Sequence, residues 1–256
     1  LLERLLPRHM QIIYAINAEV LTEARTRAGF NDQQIANVSL IDEHGMRRVR
    51  MGQLAFVGSH SINGVAGLHT ELMKKTVFAD LHALYPERIN NKTNGVTPRR
   101  WLMECNPGLT KLISDRIGPE FMDDFDKLVD LDKHADDVGL QEQFAAIKRA
   151  NKVALTQVIK ERLNVVVSPD ALFDVQVKRI HEYKRQLLNV IQAVAQYAEL
   201  RAHPERDWVP RVKVFAGKAA PGYWNAKLII KLINDVGKVI NADPAVRGLL
   251  KVVFLP

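Results

Sequence analysis

Lys178, Arg179, Lys184 and Arg185 place four cations within eight residues, in the run Val175-Gln176-Val177-Lys178-Arg179-Ile180-His181-Glu182-Tyr183-Lys184-Arg185. Arginine grips phosphate oxygens through two parallel N–H bonds and lysine supplies a compact charge, so the mixture suits two phosphate groups held close together. On residue types alone the run reads equally as a basic surface turn answered by Asp174 and Glu182. Asn94-Gly95 is a turn signal, yet the Asn94 amide also offers the donor and the acceptor that sugar hydroxyls require. Trp101, after Arg99-Arg100, is a surface on which a planar ring can stack, or else a packing residue. The loop Gly58–Val65 holds two glycines and can bring main chain close to a ligand.

Other candidates carry less chemistry. Ala216-Gly217-Lys218-Ala219-Ala220-Pro221-Gly222-Tyr223 lacks both the P-loop spacing and G-x-G-x-x-G, so it reads as a tight turn closing a sheet edge, with nucleotide binding the alternative. His60, His69 and His181 share no motif spacing and read as structural. Asp123, Asp124, Asp126, Asp130, Asp132, Asp136 and Asp137 match no EF-hand loop and read as a solvated acidic surface, so no metal is expected. Cys105, the single cysteine, has no partner for a disulfide or a metal site and is expected to be an inert packed thiol.

The elements that must hold these residues follow from periodicity. Apolar Met10, Ile13, Ile16, Val20 and Leu21 predict one face of a helix from Pro7 to about Ala28, broken by Asn31-Asp32. Leu54–Val57 reads as an extended segment, followed by a loop and a helix over Val65–Met73. The turn-rich Arg88–Trp101 suits a crossing between domains, placing a boundary near residue 92 and giving parts 1–92 and 93–256. Mostly helices follow through Leu163. Then come a strand at Leu172–Val177, a helix over Tyr183–Ala198 with Leu187, Val190, Ile191, Val194 and Ala198 inward, and a strand at Val212–Ala216. A helix over Tyr223–Ile240, with Ala226, Ile229, Ile230 and Ile233 inward, precedes a strand at Leu250–Leu255. That alternation, with continuous apolar strands, predicts an α/β fold with a Rossmann-like parallel sheet covered on both faces. Ligands bind beyond the carboxyl ends of such strands, where the four cations fall.

Composition bounds the reading. With 256 residues, nearly half hydrophobic and a quarter charged, the chain is ordinary folded material and long enough for two substructures. No apolar run approaches the roughly 20 residues that span a bilayer, so no membrane partner and a cytoplasmic origin are expected. The net charge of +7 is uneven: Ala171–Pro256 holds 14 Lys and Arg against 7 Asp and Glu, while the first 170 residues hold 22 of each sign. The last third therefore attracts anions. A nucleic-acid module would want an aromatic-interleaved groove, which is lacking. The apolar opening and the closing run Lys-Val-Val-Phe-Leu-Pro read as cuts, so the chain is expected to be an internal segment of a longer protein.

Gly58-Ser59-His60-Ser61-Ile62-Asn63-Gly64-Val65-Ala66, Asn91-Lys92-Thr93-Asn94-Gly95-Val96-Thr97-Pro98-Arg99-Arg100-Trp101 and the Lys178–Arg185 run together resemble the α-glucan phosphorylases, the glycogen and maltodextrin enzymes. Leu6-Pro7-Arg8-His9 and Gly217–Tyr223 extend the likeness, in family order, over essentially the whole chain. The resemblance implies the end of an N-terminal lobe (1–92) and the first half of a C-terminal Rossmann-like lobe (93–256) of a two-lobe GT-B-type glycosyltransferase fold. It implies phosphorolysis of α-1,4-glucan ends by inorganic phosphate to glucose 1-phosphate, with pyridoxal 5′-phosphate as cofactor. By position Lys178, Arg179 and Lys184 match residues holding cofactor and substrate phosphates. Tyr183 and Asn94 match sugar contacts, Val65 a main-chain approach to the same pocket, and Trp101 an aromatic near the cofactor ring. Tyr14 and Asn17 match a remote glycogen-holding site of animal members.

The lysine that binds the cofactor covalently lies in a family motif, Gly-Thr-Gly-Asn-Met-Lys, absent from this chain. The 256-residue chain alone is therefore expected to be inactive, and the full-length relative to be a homodimer. The alternatives are a nucleotide-sugar glycosyltransferase of the same two-lobe fold and a non-catalytic glucan-binding remnant.

Overall fold

A turn of helix, α1 (Leu2–Leu5), leads into α2 (Pro7–Thr26). Pro7 opens α2 where its missing N–H costs nothing, and Met10, Ile13, Val20 and Ala24 are buried along its inner face. The computed structural model describes residues 1–26 and 29–256. The expected helix end at Ala28 thus lies outside the described residues. The chain divides into two compact units, Leu1–Thr97 and Pro98–Pro256.

In the first unit α3 (Asp32–Val38) follows, then β1 (Ile41–Asp42), β2 (Arg48–Val49), α4 (Met51–Val57), β3 (Ile62–Gly64), α5 (Gly67–Lys75), α6 (Ala79–Leu84) and β4 (Ile89–Asn91). Asn31 starts α3 with a capping box. Its Oδ1 accepts from Gln34 N at 2.9 Å, and Gln34 Oε1 accepts from Asn31 N at 3.2 Å, which satisfies two otherwise orphaned donors. Val20, Ala24, Val38, Phe56, Leu81, Leu84 and Ile89 form the core. The expected extended segment at Leu54–Val57 is instead the end of α4. A four-residue apolar run has no period of its own, and Phe56, 2% exposed, packs against Phe78 at 5.2 Å between ring centroids. The strand falls a few residues later at β3, which pairs in parallel with β4.

The second unit opens on a π-helical stretch, Arg99–Glu104, followed by α7 (Pro107–Ile117), short 3-10 segments and α8 (Val138–Leu163). Asn106 caps α7 through Leu109 N, and Asp137 caps α8 through Leu140 N. Cys105, expected to be packed, is exposed where the π-helical stretch ends. Three of the acidic residues serve caps and surface pairs: Asp124 accepts from Asp126 N, Asp130 pairs with Lys133 and Asp137 with Arg116.

Beyond α8 the chain alternates β5 (Leu172–Val177), α9 (Gln186–Ala202), β6 (Arg211–Ala216), α10 (Trp224–Ala242) and β7 (Leu250–Leu255). The three strands form one parallel sheet in the order β5-β6-β7. On one face Ile159 of α8 packs with Val212, Val214 and Val253. On the other, Val190 and Ala193 of α9 and Ile229 and Ile233 of α10 pack with Phe215, Leu250 and Val252. This is an α/β arrangement, and the alternation of Val214 and Phe215 to opposite faces follows from the strand period.

Two expectations fail here. Helix α9 starts at Gln186, not Tyr183, because Glu182–Lys184 forms a 3-10 turn and Arg185 takes a left-handed conformation. Its buried face is Gln186, Val190, Ala193 and Leu200, leaving Leu187, Ile191 and Val194 44%, 54% and 45% exposed. Apolar residues surround α9 so completely that periodicity cannot choose a face, and contact with the sheet chooses for it. At the far edge Gly237 lets α10 close on β7, since a Cβ there would lie 2.8 Å from Val252 O. The Asn241 side chain then pairs with both Val252 N and Val252 O, at 2.9 and 2.8 Å.

Candidate functional site

β5 runs out at Val177, and the four cations follow at its carboxyl end. The ladder continues past the strands: Lys178 N donates to Ala216 O and Ile180 N to Lys218 O, each at 3.1 Å. Gly217, with φ +149, permits this, because a Cβ would stand 1.9 Å from Lys178 O. The segment after β6 is therefore a flat extension against the basic loop. The tight turn expected there is confined to Ala220–Tyr223, where Tyr223 N donates to Ala220 O at 3.0 Å.

Lys178, Lys184 and Arg185 line one open cleft of about 610 Å³ along β5. Arg179 is exposed and stands outside that lining. Lys184 Nζ lies 4.7 Å from the centre of the Tyr183 ring, a distance at which the ring face attracts a cation. Tyr183 is 68% exposed, and its ring meets that of His181 at 4.4 Å.

Neither neighbouring carboxylate forms an ion pair with the four cations among the described residues. Asp174 accepts from Lys213 Nζ at 2.7 Å and approaches Arg211 at 3.8 Å. Glu182 accepts from the Tyr223 hydroxyl at 2.5 Å and from Asn225 Nδ2 at 3.1 Å. These bonds, the Tyr223 one foremost, hold the Glu182 carboxyl below the usual carboxylate range, and the same bond raises the Tyr223 phenol. Among the described residues, none of Lys178, Arg179, Lys184 and Arg185 forms an ion pair. Glu182, inside the same eight residues, keeps its charge because Tyr223 and Asn225 are neutral, so the run carries four positive charges against one negative.

The loop is fixed from within by side-chain amides. Buried Gln186 donates to Arg179 O at 3.1 Å and accepts from His181 N at 3.4 Å. Gln176 donates to Lys184 O at 3.0 Å, and Asn189 donates to Gln176 Oε1 at 3.0 Å. Lys213, 1% exposed, donates to Asn189 Oδ1 at 2.6 Å. Sequence reasoning missed all of these. The available signal was Lys213 within an apolar strand, directly opposite Asp174 in the sheet register.

In the first unit Asn94 N donates to Val65 O at 3.0 Å, and Lys92 N to Gly64 O at 2.9 Å. Both bonds extend the β3–β4 ladder and bring those two candidate residues together. Gly64 is needed for packing, since a Cβ would lie 1.9 Å from Thr70 Oγ1. That hydroxyl reaches Asn91 Oδ1 at 2.7 Å, and Asn91 reaches Thr93 at 2.9 Å. Asn94 is exposed and Val65 is 46% exposed. In the second unit Trp101 is 64% exposed on the π-helical stretch. Tyr14 lines a cavity of about 390 Å³ with Arg47 and Arg48. Asn17 is committed to the fold, its Oδ1 accepting from Leu40 N at 2.7 Å.

The sequence model of the family described as carbohydrate phosphorylase matches residues 1–256. A glycogen phosphorylase of Synechocystis sp. is 50% identical over 252 residues, covering 98% of this chain and 30% of that protein. One from Haemophilus influenzae is 50% identical over 256 residues, covering 100% and 31%. The human muscle form is 45% identical over 255 residues, covering 100% and 30%. This chain thus spans somewhat under a third of the length of these relatives.

Proposed function

This chain belongs to the carbohydrate phosphorylase family, and from that premise we propose that its basic loop is part of a site for two adjoining phosphate groups in the phosphorolysis of α-1,4-glucans. Inorganic phosphate cleaves the terminal glycosidic bond there, and the glucosyl unit leaves as glucose 1-phosphate. One observation carries the reading: among the described residues none of the four cations of Lys178–Arg185 is ion-paired, Asp174 pairing with Lys213 and Glu182 bonding to the neutral Tyr223 and Asn225, so the loop keeps a net positive charge. Like charges at that spacing repel, and a dianion is the ligand that offsets the repulsion.

Lys178, Arg179 and Lys184 are assigned to phosphate, where their charge stabilises the pair of dianions as the sugar becomes cationic. By the family resemblance Tyr183 of the second unit, and Asn94 with the main chain at Val65 of the first, are each assigned to the sugar. The net positive loop fits the phosphoester of pyridoxal 5′-phosphate, with Lys178 toward its phosphate and Trp101 beside its ring. When bound, the cofactor supplies acid–base chemistry through that phosphate. The cofactor-binding lysine motif is absent from the sequence, so we infer that the chain alone is inactive. Residues 1–92 are read as the end of an N-terminal lobe and 93–256 as the first half of a Rossmann-like C-terminal lobe of a GT-B-type enzyme. The full-length protein is read as a cytoplasmic homodimer.

Titrating inorganic phosphate and pyrophosphate into the chain by calorimetry tests the site. Saturable binding is expected, weakened about tenfold or more by Lys178→Ala or Lys184→Ala, the scale of a charge-assisted hydrogen bond. Thermal stabilisation by UDP-glucose or ADP-glucose, with none by phosphate, would point to a nucleotide-sugar transferase instead. Glucose 1-phosphate formed from maltoheptaose by the purified chain would refute the inference of inactivity.

A further inference from the structure

Lys213 sits in the middle of β6 with its ammonium buried, and its second partner is an amide instead of another carboxylate. From it a chain of hydrogen bonds leads to the basic loop. Lys213 Nζ donates to Asn189 Oδ1, Asn189 Nδ2 to Gln176 Oε1, and Gln176 Nε2 to Lys184 O, at 2.6, 3.0 and 3.0 Å. Every donor points away from the cation.

That polarity follows from the chemistry of the starting group. An ammonium has donors only, so Asn189 must turn its oxygen toward Lys213. Its NH2 then faces Gln176, which must answer with oxygen, and the remaining NH2 of Gln176 is directed at the Lys184 carbonyl. One buried charge thereby selects one of two flips for each amide, and polarisation along the chain strengthens the last bond.

The bond ends at a corner that needs holding. Arg185, next in sequence, has φ 64 and ψ 31, a left-handed conformation that costs a residue bearing a Cβ free energy. The peptide between Lys184 and Arg185 is the one whose carbonyl Gln176 fixes. Were the corner to relax to right-handed geometry, Lys184 would swing from the cleft it shares with Lys178.

We propose that Lys213, Asn189 and Gln176 are positioning residues, a polarised relay that sets the Lys184 end of the basic loop for anion binding. The proposal rests on the phosphate reading above. All three also line that cleft, and a Lys184→Ala background separates an effect through Lys184 from direct contact with the anion.

The test uses Gln176→Glu, which keeps the acceptor for Asn189 but cannot donate to Lys184 O, and Gln176→Leu, which removes both functions without adding charge. Pyrophosphate is titrated against the chain carrying each, with Lys184 intact and with Lys184→Ala. Amide hydrogen exchange is followed at Lys184 and Arg185, with β6 amides reporting on the fold. Both variants are expected to weaken pyrophosphate about fivefold to tenfold, the worth of one well-placed hydrogen bond. The Gln176→Leu loss should vanish in the Lys184→Ala background, where Gln176→Glu keeps only the repulsion of its added charge, while corner exchange quickens and β6 exchange stays unchanged. Equal losses in both backgrounds, or no loss at all, would overturn the relay. If the unmodified chain binds no pyrophosphate, the phosphate reading itself falls. The relay is then decided by exchange alone, and unchanged protection at Lys184 and Arg185 in both variants refutes it.

Discussion

Replacing Gly217 by alanine should damage the candidate site without touching any of its charged side chains. The glycine has φ +149, and an added Cβ would stand 1.9 Å from Lys178 O and 2.8 Å from Lys178 C. Main chain cannot yield as the tip of a side chain can, so the segment after β6 must move away from the loop by about 1.5 Å or more, the distance needed to restore ordinary contact. The neighbouring bonds, Lys178 N to Ala216 O and Ile180 N to Lys218 O, are each 3.1 Å already, and such a shift breaks at least one. Adding about 1–2 kcal/mol for the strained backbone to about 1 kcal/mol for the bond gives a loss of about 2–3 kcal/mol. Hydrogen exchange of β5 and β6 amides through a denaturant series isolates this unit from Leu1–Thr97. Gly222→Ala is the control, since nothing lies within 4 Å of its added Cβ. A loss below about 1 kcal/mol, with Lys178 and Ile180 amides still protected, would refute the argument that close approach dictates glycine here.

Two further substitutions test the supports of the remaining elements. Thr70→Val removes the hydroxyl that lies within hydrogen-bond reach of Ala66 O and Asn91 Oδ1; a loss of about 0.5–1.5 kcal/mol is expected, the net worth of one hydrogen bond, since Asn91 is exposed and Ala66 O keeps the Thr70 N–H. Faster exchange of the Lys92 and Asn94 amides should accompany it, and unchanged exchange there would break the proposed link to the Val65–Asn94 pair. Asp137 is held below the usual carboxylate range first by Leu140 N–H, with Arg116 assisting. Its folded pKa is depressed, so its stabilisation is complete above the ordinary carboxylate range and disappears as pH falls through the lowered value. Asp137→Ala should therefore lower the urea midpoint at neutral pH and converge with the parent in acid. A difference that persists in acid would show that the contribution is not electrostatic.

Much of the second unit was legible in the sequence, because β6 and β7 are mainly apolar and α10 keeps Ala226, Ile229, Ile233 and Ile240 on one stripe. α9 was legible as a helix but not as to its face. Leu187, Leu188, Val190, Ile191, Ala193 and Val194 surround its axis, and only the sheet decides that Val190 and Ala193 go inward. The segment before β3 misled for a related reason. Leu54–Val57 fits either period, and what makes it helical is Phe56 meeting residues distant in sequence. At the candidate site the cations were plain from spacing. Their lack of ion pairs was not, since Asp174 and Glu182 stand beside them in sequence yet are drawn off by Lys213, Tyr223 and Asn225 from later elements. The amides beneath the loop carry no charge pattern at all, and only their contacts give them a role.

Asn241 gives the sheet a sidedness. By meeting the main-chain N–H and C=O of Val252 with one carboxamide, it does locally what a further strand would do, and it leaves that rim a poor template for another chain. Among the described residues β5 has no such guard on its outer rim. Any tendency of this polypeptide to stack strand upon strand with other molecules should begin there, beside the cations. Their mutual repulsion between copies would oppose such stacking at low salt and relent as salt is raised.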